Sequence, residues 1–241
     1  MVAFRRDLDD GAVIPWHQHA HAQLIYGASG LMRIESSAGA WVVPPARAVW
    51  IPAGIEHRVR CVGEVAMQVV YVLPGAAAWL PGDCLVMDVS PLLRELVAAA
   101  MSLEEGYDLD GPDARLVAVL IDCLRARPVE ELHLPMPVDK RLRVVTHSLI
   151  ADPGDPRTLA DFAGDAGASA RTLARGFIAE TGLSFGAWRQ QLRLHEALAR
   201  LASGEPVTSV AFAVGYDSPS AFIAMFRKAL GDTPGRYLER G

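Results

Sequence analysis

Residues 158–182 of the chain read TLADFAGDAGASARTLARGFIAETG and contain the start and stop signals of two short helices. Thr158 opens a start similar to a capping box, in which Asp161 takes the place of the usual glutamate, and Gly167 marks the end of this helix. Ser169 then caps a second helix. The apolar residues that we expect to face inward are Leu159, Phe162, Ala163, Leu173 and Phe177. Helix, glycine-containing turn and helix together predict a helix-turn-helix unit, which presents its second helix to a DNA major groove.

The same pattern recurs nearer the C-terminus. Gly215-Tyr216-Asp217 makes the turn after a short helix, and Ser218-Pro219 caps the helix that follows. Val207, Val210, Ala211 and Ala213 form the short helix, and Phe222 and Phe226 of the next helix are expected to face inward. The caps Ser169 and Ser218 are 49 residues apart, and a longer helix over roughly 185–201 lies between them. A rigid helix of this kind can hold two recognition helices about one DNA turn, ~34 Å, apart.

Polar and cationic side chains on these helices are the candidate DNA contacts. Arg171 and Arg175 share a face of the first recognition helix with Thr172 beside them, and arginine forks match guanine in the major groove. Arg189 and Arg193 on the connecting helix are candidate phosphate contacts. On the second recognition helix the candidates are Ser220, Ile223, Arg227 and Lys228. Exposed arginines are also common on solvated surfaces that bind nothing, so this pattern alone leaves both interpretations open.

Five stretches carry a more specific signal, namely residues 173–182, 184–189, 210–216, 220–222 and 226–237. Through them, residues ~140–240 closely resemble the DNA-binding domain of the AraC/XylS family of bacterial transcription regulators. The resemblance implies binding to double-stranded DNA and contact with RNA polymerase. It departs from the family at Gly176, inside the first recognition helix, where glycine costs up to ~1 kcal/mol relative to alanine. It departs again at Ser220, Ile223 and Ala224, which read bases poorly.

The first 89 residues have a different character, with short apolar runs at 23–26, 31–34, 41–43, 48–51 and 65–72 separated by glycine and proline turns. This spacing predicts a small antiparallel barrel or sandwich. Ser90-Pro91 and Gly111-Pro112 then open two amphipathic helices, which either cover the barrel or pair with a second subunit. Three prolines, Pro128, Pro135 and Pro137, mark a stiff connector.

The predicted fold is therefore a two-domain α+β chain. Residues 1–89 form an antiparallel β-barrel, residues 90–135 form linking helices and a connector, and residues 136–241 form an all-α domain with two helix-turn-helix units. We expect a homodimer through residues ~90–127, because the two apolar stripes exceed what one barrel edge needs and symmetric pairing suits a reader of repeated half-sites.

Histidines in the barrel region are the candidate metal ligands. His17, His19, His21 and Gln23 alternate along the chain, so on one strand they would share a face. His57 follows after Pro52-Ala53-Gly54-Ile55-Glu56. Imidazoles suit Zn, Ni, Cu and Fe, and an amide oxygen can complete a site. Histidines in the core or on the surface without a metal are equally compatible with the pattern.

The spacing of His17-x-His19, Gln23, Gly30 and Pro52-x-Gly54-x-x-His57 resembles the two signature motifs of the cupin superfamily. The resemblance covers residues ~15–75 and implies His17, His19, Gln23 and His57 as ligands of a divalent transition metal such as Zn or Ni. Gln23 stands where the family usually has glutamate, Cys61 stands near a position that is often asparagine, and His21 falls outside the pattern. Loss of the carboxylate weakens the affinity for a divalent ion, and many such regulators bind an effector without any metal.

Four aromatic residues in the same region, Trp16, Tyr26, Trp41 and Trp50, are candidates to line a small-molecule pocket, with barrel core as the alternative. These observations favour a regulator that binds DNA and responds to a small molecule or metal in the barrel. A metal-dependent cupin enzyme fused to a DNA-binding domain is the rival. A barrel that serves only for dimerisation is a third interpretation. Gln23 in place of glutamate and the fused DNA-binding domain argue against an enzyme.

Composition fits this assignment. The chain has 241 residues, 51% of them hydrophobic, and a net charge of -5. Residues 1–135 carry 10 Lys+Arg and 17 Asp+Glu, a net of -7, whereas residues 136–241 carry 13 and 11, a net of +2. A polyanion such as DNA is therefore expected to meet the C-terminal side. No apolar run reaches the ~20 residues of a membrane span, no signal peptide is evident, and Cys61, Cys84 and Cys123 fit reduced thiols, so we expect a cytoplasmic protein.

Overall fold

The computed structural model describes residues 1–73, 75, 76, 79–104, 106–124, 129 and 132–238. These residues divide into two compact units, of which the first contains Met1–Ser36 and Trp41–Leu132. The second contains Ser37–Ala40 and residues 133–238. Among the described residues, no helix has the length and apolar character that crossing a membrane requires. Pro128 of the predicted connector lies outside the described residues.

The first unit has two antiparallel sheets, as the apolar runs predict. One sheet has the order β1-β8-β3-β6-β9, and in the other β5, β4, β7 and β2 lie side by side. The strands of this unit are β1 (Val2–Leu8), β2 (Val13–His17), β3 (Ala22–Gly27), β4 (Leu31–Ser36), β5 (Gly39–Val43), β6 (Arg47–Ile51), β7 (His57–Val62), β8 (Val65–Val72) and β9 (Leu85–Asp88).

Alternation along β3 separates the two faces of the first sheet. Ala22, Leu24 and Tyr26 point to a core that includes two helices, α1 (Pro91–Ala100) and α2 (Pro112–Cys123). Gln23 points the opposite way, because its side chain bonds to His57 of β7 in the second sheet. Gln23 and His57, two of the candidate metal ligands, therefore lie on the side of the first sheet that faces away from α1 and α2.

Helices α1 and α2 begin where the sequence predicts. Ser90 caps α1 by accepting from the Leu93 N–H, and Pro112 occupies the first turn of α2 after Gly111. Their apolar stripes pack on the first sheet of the same chain, where Leu93, Val97 and Leu120 are buried. We expected the two apolar stripes to be larger than the barrel surface they cover. This is wrong, because both stripes are buried against the outer face of this sheet. Of the large apolar residues of these two helices, Leu92 and Val119 stay exposed.

The second unit is helical, as predicted. After the short strand β10 (His133–Pro135) its described residues form α3 (Lys140–Ala151), α4 (Leu159–Ala166), α5 (Ala170–Thr181), α6 (Phe185–Ala202), α7 (Val207–Ala213), α8 (Pro219–Leu230) and α9 (Pro234–Leu238). Helices α4 and α5 form the first helix-turn-helix unit, and α7 and α8 form the second. The capping box of Thr158 and Asp161 is present, and Gly167 ends α4 in the left-handed conformation at φ 61°.

The core of the second unit explains a glycine that the sequence left unaccounted for. Phe162, Phe177 and Trp188 are fully buried around α3, and the Trp188 indole donates to the Pro135 carbonyl at 2.7 Å. A Cβ atom at Gly176 would lie 3.1 Å from a methyl carbon of Leu142 on α3. Glycine there lets the first recognition helix approach α3 closely, which offsets its low helix propensity.

Candidate functional site

Three histidines and a glutamine meet between the two sheets of the first unit. His17 ends β2 and pairs directly with His57, the first residue of β7, while Gln23 lies on β3. His19 lies in the connection between β2 and β3. One ligand nitrogen from each of His17, His19 and His57 can be chosen so that all lie within 4.8 Å of one another. The structure thus brings together all four residues that the motif spacing selected.

Backbone carbonyls fix the protonation of two of these rings. His17 Nδ1 lies 2.7 Å from the Pro15 carbonyl oxygen, and His57 Nδ1 lies 2.8 Å from that of Ile55. Since a carbonyl oxygen only accepts, each Nδ1 carries the proton and each Nε2 keeps its lone pair. Gln23 Nε2 donates to His57 Nε2 at 2.7 Å. Histidine ligands of metals are commonly oriented by such a bond from the other ring nitrogen.

Burial favours the neutral form of two of these histidines, His57 and His19. Burial lowers the pKa of His57, and the neighbouring charges of His17 and His19 lower it further, although the bond to Ile55 opposes this. Burial also lowers the pKa of His19, with smaller effects from His17 and His21. Both shifts favour the neutral imidazole, which is the form that binds a metal.

The structural reason for this convergence differs from the predicted one. Placing His17, His19, His21 and Gln23 on one strand face is wrong, because β2 ends at His17 and β3 begins at Ala22. A connection between two strands in different sheets brings His19 to the cluster. His21 is exposed and outside it.

Tyr71 is a member of this site that the sequence analysis missed. It lies directly opposite Gln23 in the pairing of β3 with β8, and its hydroxyl is 3.2 Å from His19 Nε2. Burial raises its pKa, so it stays protonated at neutral pH. No motif marks Tyr71, and only the register of β8 against β3 could have identified it.

The donor set fits a transition metal better than Mg²⁺ or Ca²⁺. Three imidazoles suit Zn, Ni, Cu or Fe, whereas Mg²⁺ and Ca²⁺ prefer oxygen ligands. Two nitrogens on one zinc ion, each at ~2.0–2.1 Å, are at most ~4.2 Å apart. Nitrogens up to 4.8 Å apart must therefore move closer together to share one ion. Gln23 replaces a carboxylate, so a bound divalent ion would keep its full positive charge.

The aromatic residues proposed as pocket lining lie elsewhere. Tyr26 and Trp50 are buried on the face that packs against α1 and α2. Trp16 is 46% exposed, and the Arg58 guanidinium lies 5.3 Å from the centre of its ring. Trp41 is buried in β5. Tyr26 and Trp50 therefore belong to the barrel core, which was the alternative to pocket lining, because they face the side of the first sheet opposite to Gln23.

The recognition helix of the first helix-turn-helix unit carries two exposed arginines. Arg171 and Arg175 both extend into solvent from α5, one helical turn apart. Thr172 is half-buried, and its hydroxyl lies 2.9 Å from the Ser169 hydroxyl, which also accepts the Thr172 backbone N–H. Thr172 thus takes part in the helix cap, and the two arginines remain the predicted base-reading residues on this face.

The second recognition helix borders an open groove of about 690 Å³. Ser220, Ile223, Arg227 and Lys228, the four predicted contacts, line it together with Ala224 and Thr233. Arg227 and Lys228 are exposed in the last turn of α8. The groove thus has two cations at one end and small or apolar side chains beside them.

The two arginines of the connecting helix α6 form bonds inside the domain. Arg193 donates through Nε to the Pro153 carbonyl at 3.0 Å and through Nη1 to the Gly215 carbonyl at 3.1 Å. Its guanidinium group is used inside the domain, so the structure gives no support to its predicted phosphate contact. Arg189 donates to the Arg157 carbonyl at 3.0 Å and lies over the Phe185 ring, which leaves its phosphate contact without support.

A two-sheet unit with a histidine cluster, joined to a unit with two helix-turn-helix pairs, defines a DNA-binding regulator with a ligand-binding domain. Family comparison agrees, since a cupin domain matches residues 4–73 and a helix-turn-helix domain matches residues 162–240. The HTH-type transcriptional regulator NimR of Escherichia coli K12 is 38% identical over 231 residues, covering 96% of this chain and 84% of NimR. The chain belongs to the AraC-type family of helix-turn-helix transcriptional regulators.

Two further proteins are similar to this chain. The transcriptional regulator RipA of Corynebacterium glutamicum is 37% identical over 103 residues, which are 43% of this chain and 31% of RipA. The crystal structure of unsaturated-fatty-acid-bound ToxT from Vibrio cholerae aligns with 98% of this chain, and the alignment covers 94% of the ToxT chain. Its sequence identity is 12% and its TM-score is 0.40.

Proposed function

We propose that this regulator senses a divalent transition metal, or a small molecule that binds with it, at His17, His19 and His57. Occupation of this site shifts the population of states in which the DNA-binding unit engages its sites. The observation that supports the proposal is the convergence of three imidazoles, in two of which Nδ1 bonds to a backbone carbonyl so that Nε2 is the nitrogen facing the cluster.

The residues around the cluster indicate how an ion would be held. His17, His19 and His57 would supply nitrogen ligands, and Gln23 would turn its amide to offer oxygen in place of the N–H that now bonds to His57. A bound divalent ion supplies a Lewis-acidic centre. Because the ligand set is neutral, this centre attracts anionic groups, so a small-molecule effector with a carboxylate or similar anion fits it.

A small pocket lies beside the cluster. Its volume is about 180 Å³, and it is lined by Met1, Val2, His21, Tyr71 and Leu73. Pockets for drug-sized ligands span ~300–1,000 Å³, so this one suits only a small effector. Tyr71 connects the pocket to the cluster through its bond to His19.

The regulator is further proposed to act in the cytoplasm as a homodimer that contacts RNA polymerase. Symmetric pairing suits a protein that reads repeated half-sites. We assign it no enzymatic activity, because its relatives are transcriptional regulators and Gln23 takes the place of the carboxylate.

Metal titration of the full chain tests the sensing site. After chelation, ZnCl₂ or NiCl₂ should raise the melting temperature of the N-terminal unit, since an ion at 100 times its Kd stabilises the folded state by ~2.7 kcal/mol. His57→Ala should abolish the shift. His21→Ala is the matched control, because His21 is exposed and outside the cluster, and this variant should respond like the wild type.

The possible results of the metal titration distinguish the sensing site from the two alternative interpretations of the barrel. An equal response in His57→Ala and wild type would place the metal elsewhere. No response to any metal would favour a barrel that serves only for dimerisation. Turnover of a substrate by the metal-loaded chain would instead support the enzyme. Operator affinity measured with and without metal then shows whether the site controls DNA binding, and His57→Ala should remove any difference.

A further inference from the structure

Helix α6 passes between two loops that belong to different helix-turn-helix units. The loop Asp152–Arg157 leads into α4, and the turn Val214–Asp217 joins α7 to α8. Arg193 bonds to both loops, at the carbonyls of Pro153 and Gly215. Its guanidinium carbon also lies 5.7 Å from the centre of the Tyr216 ring. The Arg193 side chain thus connects both helix-turn-helix units to α6, the helix between them.

Two glycines let these loops touch. Gly215 has φ +81°, and a Cβ atom there would lie 2.9 Å from the Gly154 carbonyl oxygen and 2.6 Å from Arg193 Nη2. A Cβ atom at Gly154 would lie 3.1 Å from the Ala213 carbonyl oxygen. Any side chain at Gly215 would therefore push apart the backbones that Arg193 holds together.

The environment of Arg193 differs from that of a solvated arginine. Burial lowers its pKa, as does the neighbouring Arg189, although Tyr216, Asp152 and Asp155 oppose this. Its guanidinium group donates to two neutral carbonyl oxygens. Partial burial of a charge is unfavourable unless hydrogen bonds compensate it, and here the compensation comes from the two loops.

We propose that Arg193, together with Gly154 and Gly215, fixes the position of α5 relative to α8 and thereby sets the spacing of DNA subsites that the protein accepts. Arg193 is a positioning residue, because it acts through the two recognition helices. The inference rests on the proposed reading of DNA by α5 and α8. Releasing either carbonyl would let one unit shift relative to α6, and a wider range of spacings would then fit.

Binding to spaced operators tests this. The probe is a duplex selected from a random library by the wild-type full chain, with one base pair inserted or deleted between its two footprinted subsites. Each base pair moves one subsite by ~3.4 Å along the DNA and rotates it by about a tenth of a turn. The wild type should lose about tenfold in affinity, as for one mismatched base pair, whereas Arg193→Ala should lose less than about threefold.

Arg200→Ala is the matched control. Arg200 lies on the same helix and pairs with Glu196 at 2.9 Å and Glu205 at 3.4 Å. This variant should keep the wild-type spacing penalty. A duplex with the α5 subsite alone should bind wild type and Arg193→Ala equally, which a general loss of folding would not produce.

Two milder variants keep the test decisive if Arg193→Ala fails to fold. Arg193→Lys retains the charge but reaches fewer acceptors, and Gly215→Ala separates the loops with Arg193 intact. Both should relax the spacing preference. The inference is overturned if both fold and keep the wild-type penalty, or if the wild type itself has none. Failure of the wild type to select any DNA would instead overturn the proposed function and, with it, this inference.

Discussion

Arginines of one helical domain perform different tasks at the scale of the single residue. Arg175 on α5 extends into solvent, whereas Arg193 on α6 bonds to carbonyls 40 and 22 residues away along the chain. Both occupy polar positions of amphipathic helices, so the sequence pattern treats them alike. The difference arises from loops that only the fold brings to α6, and this is why sequence reasoning did not find the bonds that Arg193 makes inside the domain.

A prediction at this scale separates base reading from backbone contact. Arg175→Ala should cost roughly 1–3 kcal/mol on the specific site and relax the preference at one or two base pairs, since an arginine fork reads guanine. Arg227→Ala should weaken specific and non-specific binding about equally and lower the salt slope by about one unit, because a phosphate contact carries no sequence information. Titration of matched and scrambled operators at several salt concentrations measures both effects.

The assignment of base reading to Arg175 and phosphate contact to Arg227 is wrong if Arg175→Ala leaves the ratio of specific to non-specific affinity unchanged. It also fails if Arg227→Ala changes that ratio more than Arg175→Ala does. Arg200→Ala serves as the control, since Arg200 pairs with glutamates of its own unit and should alter neither quantity.

The histidine site shows what motif spacing can and cannot provide. Spacing selected His17, His19, Gln23 and His57, and the fold brings them together. Strand alternation gave the wrong reason, because His19 lies in a connection between sheets. Tyr71 stayed unseen, because its place opposite Gln23 depends on long-range strand register rather than on local sequence.

At the scale of elements, local signals were the most reliable. Serine and threonine caps and prolines in first turns predicted the starts of α1, α2, α4, α5 and α8, and Gly167 predicted the end of α4, because these interactions span only a few residues. Strand β1 went unpredicted. It is an edge strand whose central residues Arg5, Arg6 and Asp7 are all exposed, so it has no apolar alternation.

Two helical glycines should respond oppositely to alanine. A Cβ atom at Gly164 in α4 meets nothing within 4 Å, so Gly164→Ala should stabilise the second unit by about 0.5–1 kcal/mol through helix propensity. At Gly176 the new Cβ would press on buried Leu142, so the same gain should be cancelled or reversed. Urea unfolding of both variants measures the difference, and equal stabilisation would show that Leu142 yields freely.

The outer face of α2 suits a symmetric helix pair. Ala118 and Val119 are exposed at its middle, between Arg115 and Asp122, which are exposed as well. In an antiparallel pair of identical helices centred between Ala118 and Val119, Arg115 of one copy faces Asp122 of the other, and the reverse. This self-complementary pattern replaces the argument from buried stripes as the reason to expect a homodimer.

Charge reversal tests the helix pair. Arg115→Asp alone should weaken the dimer, because like charges then face each other twice, and Arg115→Asp combined with Asp122→Arg should restore it. Sedimentation at micromolar concentration measures the outcome. A wild-type monomer would contradict the dimer, and an undisturbed dimer in the single variant would place the interface elsewhere.

At the scale of the whole molecule, each unit has its own core and its own charge. Residues 1–135 have a net charge of -7 and residues 136–241 a net charge of +2. The core that includes α1 and α2 and the core around Phe162 and Phe177 share no residue. This division matches a ligand-binding unit that avoids DNA and a second unit that binds it.

Regulation in such a molecule must be reciprocal. If metal at the histidine cluster changes operator affinity by some factor, saturating operator DNA must change the metal affinity by the same factor, because both are sides of one thermodynamic cycle. Couplings of this kind typically amount to ~1–3 kcal/mol, or about 5–150-fold. Metal affinity can be measured by competition with a chelator, with and without DNA, and operator affinity with and without metal.

The two factors should agree within error for the wild type and for His21→Ala. His57→Ala should show no coupling in either direction while still binding operator DNA, because it removes a candidate ligand of the first unit and no residue of the second. If the two factors disagree in the wild type, a further equilibrium such as dimerisation is linked to one of the two binding reactions. Repeating both titrations with the Arg115→Asp variant would then show whether assembly at α2 transmits the signal.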